Sequence, residues 1–496
     1  MNKNKAGAIN LAGIESEVHI FFQKNGDETL RTRVACMLLS ELNQLYGNKE
    51  NAQTKTCPYS NVLCGGHEFL PNGSRAYLDH GYLEYATPAC TTTSETVAAV
   101  QSGDRMIRKA VSELEQTFEN DMRVTAVRNN IDQHGHSFGA HVNVRMTRQG
   151  YERIFDDSDI LNGFVVPFFV TLPLICGSGR CSSEDGEEVF QIWQRSDFLQ
   201  ELFGFQTTYD RPLVNTRDES LAAEPQKYAR FHIIAFDANR LEVAEYLKLG
   251  LLRLLCATID AGKVDVGLEL DEPITAIRSI SRQPFKTIPL TSKKNITALE
   301  IQLAFFNAFT ELNDQGVFVG RVPDAAEILT RWNEVLTKLE KNPFSLIGGL
   351  DWITKYAWLE QIRSKKGLKW SSPQMKWLDI QYHSLTNTTD IPCERITTDK
   401  QINELIRKAP QNCRASIRGE LLRKFGKTIT EANWHYVVSS EEETAYLLPD
   451  DPEHGLVEVI CNGKTLKETA TSLNLVCIQL TCTDELQEKE KQISTV

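Results

Sequence analysis

The sequence predicts an α+β fold, with strands clustered in its first half and helices around them. Residues 13–22 alternate polar and apolar side chains, which is typical of a strand that buries one face. A stripe of leucine and valine from position 30 to 45 repeats at helical spacing, and residues 241–262 are apolar on almost every side. Half-buried strands beside amphipathic and buried helices indicate a mixed architecture.

The other elements are assigned from local signals in chain order. Residues 74–87 read as two short strands around His80-Gly81. Thr92 and Glu95 have the spacing of a capping box, which predicts a helix that runs to about position 118. Further strands are expected at 122–128, 140–146 and 229–236.

The second half of the chain suggests a division into domains. Helical patterns dominate from about residue 296 to 390, and a smaller piece mixes helix and strand. We therefore expect a large domain over residues 1–390 and a small C-terminal domain over 393–482. Residues 483–496 are strongly charged, and we expect a disordered tail there.

The composition is that of an ordinary folded protein, with 41% hydrophobic and 24% charged residues. The chain has 54 basic and 66 acidic side chains and a formal charge of −12. We therefore expect neither nucleic acid nor a membrane surface as a partner, because both are polyanions. The longest apolar run, residues 164–176, is too short to span a membrane. The charged start has no apolar core after it, so we expect a cytoplasmic location.

Five of the predicted strands carry polar or charged side chains on one face, because residues two positions apart project the same way. Charged groups are seldom buried unless they are paired or bound to a cation. Carboxylates suit Mg²⁺ and arginines suit phosphate, so this face could hold a metal and a nucleotide. The alternative is an ordinary sheet with a solvated outer face. The residues that share a face are Glu15 with Glu17, Tyr77 with Asp79, Glu84 with Ala86, His141 with Asn143 and Arg145, and Arg230 with His232.

A series of short motifs occurs in one order along residues 13 to 440. The first are Gly13-Ile-Glu-Ser-Glu17, Asn72-Gly-Ser-Arg-Ala-Tyr-Leu-Asp79, Glu84-Tyr-Ala-Thr87, Asn129-Asn-Ile-Asp132 and Gly135-His-Ser-Phe-Gly-Ala-His141-Val-Asn143. They continue with Val214-Asn-Thr-Arg-Asp-Glu219, Arg230-Phe-His232, Asp237-Ala-Asn239, Leu378-Asp-Ile-Gln-Tyr-His383 and Arg414-Ala-Ser-Ile-Arg-Gly419. Together they resemble the family of the Pup ligase and the depupylase/deamidase of Pup. Pup is a small disordered prokaryotic ubiquitin-like modifier.

The resemblance implies a glutamine-synthetase-like, carboxylate–amine ligase domain with a sheet cradle for ATP and Mg²⁺, and a smaller C-terminal domain. It implies that Asp79 is the catalytic residue. The metal ligands that it implies are Glu15, Glu17, Tyr77, Glu84 and His141. The nucleotide-binding residues that it implies are Arg217, Arg230 and His232. The substrate-facing residues that it implies are Asn129, Asn130, Asp132 and Asn143.

The activity that the resemblance implies is an ATP-dependent ligation. The side-chain carboxylate of a C-terminal glutamate is activated as an acyl phosphate and transferred to a lysine amine. The partners would be a Pup-like or other Glu-ended modifier and lysine-bearing target proteins. Asp79 would position and deprotonate the lysine, whose reference pKa is about 10.4.

Three other functions stay open. A depupylase/deamidase would use the same aspartate to cleave an isopeptide or glutamine amide with nucleotide bound. The 64 positions from Glu15 to Asp79 are nearer the ligase pattern, whereas the Asp79-His80 pair and the five-residue step to Glu84 look more like the depupylase branch. A small-molecule γ-glutamyl–amine ligase would be favoured by an unusually deep closed pocket, whereas a long open groove would favour a peptide modifier. A catalytically silent nucleotide-binding adaptor is disfavoured by the intact Asp79 and Glu15.

Overall fold

The computed structural model describes residues 9–22, 28–47, 55–56, 63–64, 69–118, 123–132, 135–184, 187–219, 224–264, 267–386, 390–411, 413–440, 444–448, 456–461 and 464–469. The predicted tail at 483–496 lies outside the described residues.

The elements follow an α+β order. The strands are β1 Ala12–Phe22, β2 Lys55–Thr56, β3 Leu63–Cys64, β4 Arg75–Asp79, β5 Tyr82–Ala86, β6 Val124–Val127, β7 Ala140–Thr147, β8 Arg180–Glu184, β9 Glu187–Gln191, β10 Leu199–Gly204, β11 Arg211–Asn215, β12 Tyr228–Ile233, β13 Thr287–Pro289, β14 Asn295–Thr297, β15 Ile429–Ala432, β16 Tyr436–Ser439, β17 Thr444–Leu447, β18 Leu456–Cys461 and β19 Lys464–Thr469. The α-helices are α1 Glu28–Tyr46, α2 Thr93–Gln116, α3 Arg148–Asp156, α4 Ser158–Ile160, α5 Val166–Thr171, α6 Pro173–Cys176, α7 Glu242–Asp260, α8 Pro273–Arg282, α9 Ala298–Asp314, α10 Ala325–Lys341, α11 Asp351–Lys366, α12 Pro373–Gln381, α13 Asp399–Arg407 and α14 Arg414–Phe425. The predicted strands and helices are confirmed to within a few residues at their ends.

The central sheet has the strand order β12-β7-β1-β5-β4, and β6 pairs with the far end of β1. Every pairing in it is antiparallel. β1 is therefore hydrogen-bonded to three other strands, which gives it the most constrained position in the sheet. Its alternating side chains face a polar front and an apolar back.

The turn between β4 and β5 consists of His80 and Gly81, both with positive φ angles of 45° and 83°. Two such residues form the type of two-residue turn that matches the right-handed twist of a hairpin. The turn fixes the register that places Tyr77 opposite Glu84.

The back of the sheet is covered by helices. Val18 and Leu83 pack with buried residues of α1 and α2, such as Leu38 and Met106. On the other half of the sheet, Val142 packs in the large core that includes α7. One face of the sheet is thus sealed by apolar contacts, and its polar side chains are left on the front.

The C-terminal region combines two helices with a second sheet of order β15-β16-β17-β18-β19. Leu421 of α14 packs with Val437 in the core of that sheet. Helix α13 instead shares a core with α2, through Ile402 and Ala98. The domain boundary expected between residues 390 and 393 stays a prediction.

The apolar run at 164–176 belongs to a longer helical segment than the sequence indicated. Ser158–Cys176 is helical over 19 residues, long and apolar enough to cross a membrane by length and composition, so the expectation of a shorter run was wrong. The π-helical turn Leu161–Val165 continues the helix, and Pro167 and Pro173 lie in the first turns of α5 and α6, where the missing amide hydrogen is tolerated. The segment packs inside the core, with 89% of its apolar window buried.

Candidate active site

The front of the central sheet brings together polar residues from distant parts of the chain. Glu15 on β1 is paired with His141 on β7. Two positions along, Glu17 is paired with Glu84, and Glu84 is paired on its other side with Tyr77. Directly opposite residues have Cβ atoms about 5 Å apart on one face. The predicted shared face is therefore one continuous surface.

The first group on this surface consists of Glu15, His141 and His232, which we call the histidine cluster. One donor atom from each lies within 4.8 Å of the others. The distance from Glu15 Oε2 to His141 Nδ1 is 3.4 Å. His232 Nδ1 lies 2.8 Å from Asn143 Oδ1, which fixes the orientation of the imidazole ring.

The charge states of the histidine cluster suit a cation. Burial raises the pKa of Glu15, but the hydrogen bond and charge of His141, with His232 and Arg230, hold it at about 2. Burial lowers the pKa of His232 to about 2, and the charges of His141 and Arg230 act in the same direction. At neutral pH Glu15 is ionised and His232 is a neutral imidazole, which is the form that binds metals.

The second group consists of Glu17, Asp79 and Glu84, which we call the carboxylate cluster. One oxygen from each lies within 4.8 Å of the others. Burial raises the pKa of Glu84 to about 9, and the charges of Glu15 and Glu17 add to this shift. Tyr77 shares a hydrogen bond with Glu84, and burial keeps its pKa far above the usual range, so it remains a phenol. Asp79 is half-exposed at the end of β4, with 46% of its side chain accessible.

Both clusters fit a divalent cation. The carboxylate oxygens that Mg²⁺ prefers lie close enough to share one ion, and their mutual repulsion is what a cation would relieve. Gly139 leaves the space beside them open. A Cβ atom at this position would lie 2.6 Å from His141 Nε2 and 3.0 Å from Glu17 Oε1.

The two predicted phosphate-binding arginines lie beside the histidine cluster. Arg230 Nη1 is 3.7 Å from Glu15 Oε1 and donates a 3.2 Å hydrogen bond to Asn143 Oδ1. Arg217 is exposed on the loop after β11, and its backbone amide donates a 2.9 Å hydrogen bond to Asn215 Oδ1. Its charge acts on His232, so it lies within electrostatic reach of that ring.

Three of the four predicted substrate-facing residues are buried in the loop between β6 and β7. Asn130 donates to Phe138 O at 3.0 Å and accepts from Ala238 N at 2.7 Å, so both ends of its amide hold the loop in place. Asn129 donates to Ile131 O at 2.6 Å. Asp132 accepts from His136 N at 3.0 Å, and all three residues therefore have structural contacts. Asn143, the fourth, lies on the sheet front.

A cavity of about 190 Å³ opens beside the histidine cluster, between the edge of the sheet and α14. Glu15, Asn143 and Arg230 form the wall that it shares with the cluster. Arg418 lies over the ring of Trp434, 5.3 Å from its centroid, at the opposite wall. Arg414 and Arg418, which are four positions apart in the sequence, both line this cavity.

The antiparallel sheet, with acidic and histidine side chains on an open front and helices on its back, defines an enzyme with the carboxylate–amine ligase fold. Residues 11–438 match the family model described as Pup-ligase protein. The chain therefore belongs to the Pup-ligase family, whose members are ligases or depupylases, and the predicted family and fold class are confirmed.

Curated relatives carry both activities in their names. The Pup deamidase/depupylase of Mycobacterium tuberculosis (strain CDC 1551 / Oshkosh) is 33% identical over 387 residues, which cover 74% of each chain. The depupylase of Acidothermus cellulolyticus is 32% identical over 382 residues, again 74% of each. The Pup–protein ligase of Acidimicrobium ferrooxidans is 31% identical over 401 residues, 77% of this chain and 86% of the relative.

Solved structures of one family member superpose on the chain. The crystal structure of the complex between Pup and its ligase PafA has a TM-score of 0.73 and 25% identity, and the match covers 98% of this chain and 93% of that chain. The structure of PafA in complex with ADP has a TM-score of 0.67 and 28% identity, with 78% and 86% covered.

Proposed function

We propose that this enzyme is an ATP- and Mg²⁺-dependent ligase. It joins the side-chain carboxylate of the C-terminal glutamate of a Pup-like modifier to a lysine amine of a target protein, through an acyl phosphate, in the cytoplasm. The observation that carries the proposal is the pair of clusters on one sheet face, with half-exposed Asp79 at the margin of the second. Such an arrangement can hold a nucleotide and an acceptor carboxylate side by side.

In this proposal the base of the nucleotide lies in the cavity of about 190 Å³, and its phosphates lie over the adjacent histidine cluster. Trp434 and the guanidinium of Arg418 line this cavity, and both are groups that can contact a flat aromatic base. Arg230 and Arg217 neutralise the phosphate oxygens from the β12 side. Bound Mg²⁺, held by Glu15, Glu17, Glu84 and His141, supplies charge neutralisation for phosphoryl transfer.

Asp79 acts on the attacking amine. The modifier carboxylate attacks the γ-phosphorus of ATP and releases ADP, and the lysine nitrogen then displaces phosphate from the acyl carbon. The lysine must lose a proton before it attacks, and the Asp79 carboxylate accepts it. Tyr77 remains a phenol and orients the Glu84 carboxyl through their shared hydrogen bond.

The test is incubation with MgATP, hydroxylamine and a peptide that ends in glutamate, with ADP and γ-hydroxamate as readouts. Equal amounts of both products are expected. Glu15→Ala abolishes them, and the exposed Glu340→Gln on α10 serves as the matched control. Measurable ATP binding without ADP formation from any Glu-ended peptide would overturn the ligase proposal.

A depupylase/deamidase is the second candidate, favoured by the names of the 32–33% identical relatives and by the Asp79-His80 pair. In that case Asp79 attacks the isopeptide carbonyl or activates a water molecule, and nucleotide stays bound. The same preparation is therefore given a modifier–lysine conjugate. Release of the free modifier, lost in Asp79→Asn and without net ADP formation, would assign this direction.

A further inference from the structure

A second cavity lies beside α2, on the side of the central sheet that the helices cover, and we call it the rear cavity. Its volume is about 260 Å³. It is lined by residues of α2, by the residue that follows β6, by the start of α7 and by the segment 383–395. No member of the histidine cluster or of the carboxylate cluster lines it. The rear cavity is therefore distinct from the candidate active site.

Positive charge dominates the lining of the rear cavity. The arginines are Arg105, Arg108, Arg128, Arg240 and Arg395, and the carboxylates are Asp104 and Glu242. His383 also lines the cavity, but burial holds its pKa well below the ordinary value, so the ring adds no charge at neutral pH. The whole chain has a formal charge of −12, so composition alone does not account for this local excess of cations.

The two carboxylates of the lining are already paired within the wall. Asp104 accepts hydrogen bonds from Nε and Nη2 of Arg128, both at 2.9 Å. Glu242 Oε1 lies 2.6 Å from Arg395 Nε. Neither carboxylate is therefore available to balance the remaining arginines.

The remaining arginines differ in how they are held. Arg105 forms an ion pair with Asp399, which is 71% exposed and lies outside the lining. Arg108 Nε donates a 2.6 Å hydrogen bond to Leu385 O, and Arg240 Nη1 donates to a main-chain carbonyl oxygen. Arg108 forms no ion pair with any carboxylate in the described ranges, so its charge at the rim of the cavity is free to attract an anion.

We propose that the rear cavity binds an anion that carries two phosphate groups, either free pyrophosphate or the diphosphate of a nucleotide. The planar fork of a guanidinium matches the oxygens of a phosphate group. A phosphate group carries about two negative charges and a carboxylate only one, so a diphosphate can balance the lining with one compact ligand. A volume of about 260 Å³ leaves room for several groups the size of a water molecule. Binding there does not depend on whether the enzyme forms or cleaves an isopeptide bond.

The test is calorimetric titration of the full-length enzyme with pyrophosphate in EDTA, without nucleotide. We expect Arg108→Met to weaken pyrophosphate binding about tenfold or more, as for loss of a charged hydrogen bond. Arg108→Lys keeps the charge and should lose less affinity. Because Arg108 is exposed on α2, both variants should keep the melting temperature of the parent. Arg278→Met, at an exposed position on α8, is the matched control and should bind as the parent does.

Arg230→Met separates the rear cavity from the candidate active site, because Arg230 lines the other cavity. Pyrophosphate binding should persist in this variant. ADP is then titrated into it to distinguish the two sources of the diphosphate. ADP binding that an added Arg108→Met weakens would assign the rear cavity to a nucleotide, and binding of pyrophosphate without ADP would assign it to the free anion.

Three results would overturn the proposal. The first is pyrophosphate binding that Arg230→Met abolishes and Arg108→Met leaves unchanged, because the anion would then bind in the active site. The second is equal affinity for malonate, a dicarboxylate, because the cavity would then not select phosphate. The third is the absence of pyrophosphate binding to the parent enzyme at millimolar concentration.

Discussion

Glu84→Gln tests the electrostatic character of the carboxylate cluster. The Glu84 pKa is about 9 in the folded protein against 4.5 ordinarily. At pH 7 the folded chain therefore keeps a proton that the unfolded chain has released. Each pH unit between the ordinary pKa of 4.5 and pH 7 lowers the free energy of unfolding by about 1.4 kcal/mol. The folded state is therefore destabilised by about 3 kcal/mol at pH 7. Glutamine has the same shape and no charge, so the variant is expected to be more stable by up to that amount.

The sign of the pH dependence follows from the raised pKa. Between pH 4.5 and 9 the folded state binds more protons at Glu84 than the unfolded state does, so the stability of the parent falls as pH rises. The Glu84→Gln variant lacks this pH dependence. The difference in the free energy of unfolding between variant and parent should therefore vanish near pH 4.5 and increase toward pH 9.

The assay is urea denaturation in EDTA at pH 5, 7 and 8.5, followed by tryptophan fluorescence. Added Mg²⁺ should then stabilise the parent and not the variant, because ligand binding to the folded state shifts unfolding by mass action. Glu340→Gln on the surface of α10 is the control, with no change at any pH. A Glu84→Gln protein that is less stable than the parent at pH 7, or a gap that does not change with pH, would refute the reasoning.

Three further outcomes are expected. Asp79→Asn should slow transfer to lysine by about 10²- to 10⁴-fold and slow hydroxamate formation far less, because hydroxylamine is largely unprotonated at pH 7. Equal losses in parallel assays would argue against a role in deprotonation. Gly139→Ala should weaken Mg²⁺ binding about tenfold or more in calorimetry, because the new methyl group would lie 2.6 Å from His141 Nε2. Unchanged Mg²⁺ affinity would place the ion elsewhere. Lys355 and Asp379 form an ion pair with both side chains 0% exposed, so Lys355→Met should destabilise the protein by about 3–5 kcal/mol in urea. A loss below about 1 kcal/mol would mean that Asp379 finds another partner.

The sequence was informative where the alternation of side chains within one strand indicates which residues share a face. Glu15 and Glu17, like His141 and Asn143, reveal their shared side by a spacing of two, with no knowledge of any other strand. Their division into two clusters was not predictable, because it depends on which residues of neighbouring strands are opposite each other. That register is set by the His80-Gly81 turn and by the pairing of β1 with three partners.

Features formed by residues from distant segments of the chain could not be predicted from the sequence. Trp434 and Arg418 reach the cavity beside Glu15 only because α14 packs beside the turn that precedes β4, where Arg418 Nη2 donates a 3.1 Å hydrogen bond to Gly73 O. Asn130 was predicted to face the substrate, and its structural role became visible only from its hydrogen bonds to Phe138 O in the same loop and to Ala238 N after β12.

The central position of β1 limits which insertions the sequences of this family can tolerate. Glu15 and Glu17 each contribute to a different cluster, so one strand sets the spacing of both. Insertion of a single residue between Gly13 and Glu15 would turn every later side chain of the strand to the opposite side and push Val18 into water. Loops can therefore lengthen during evolution, and side chains around the site can be exchanged, but the length of this strand cannot vary by one.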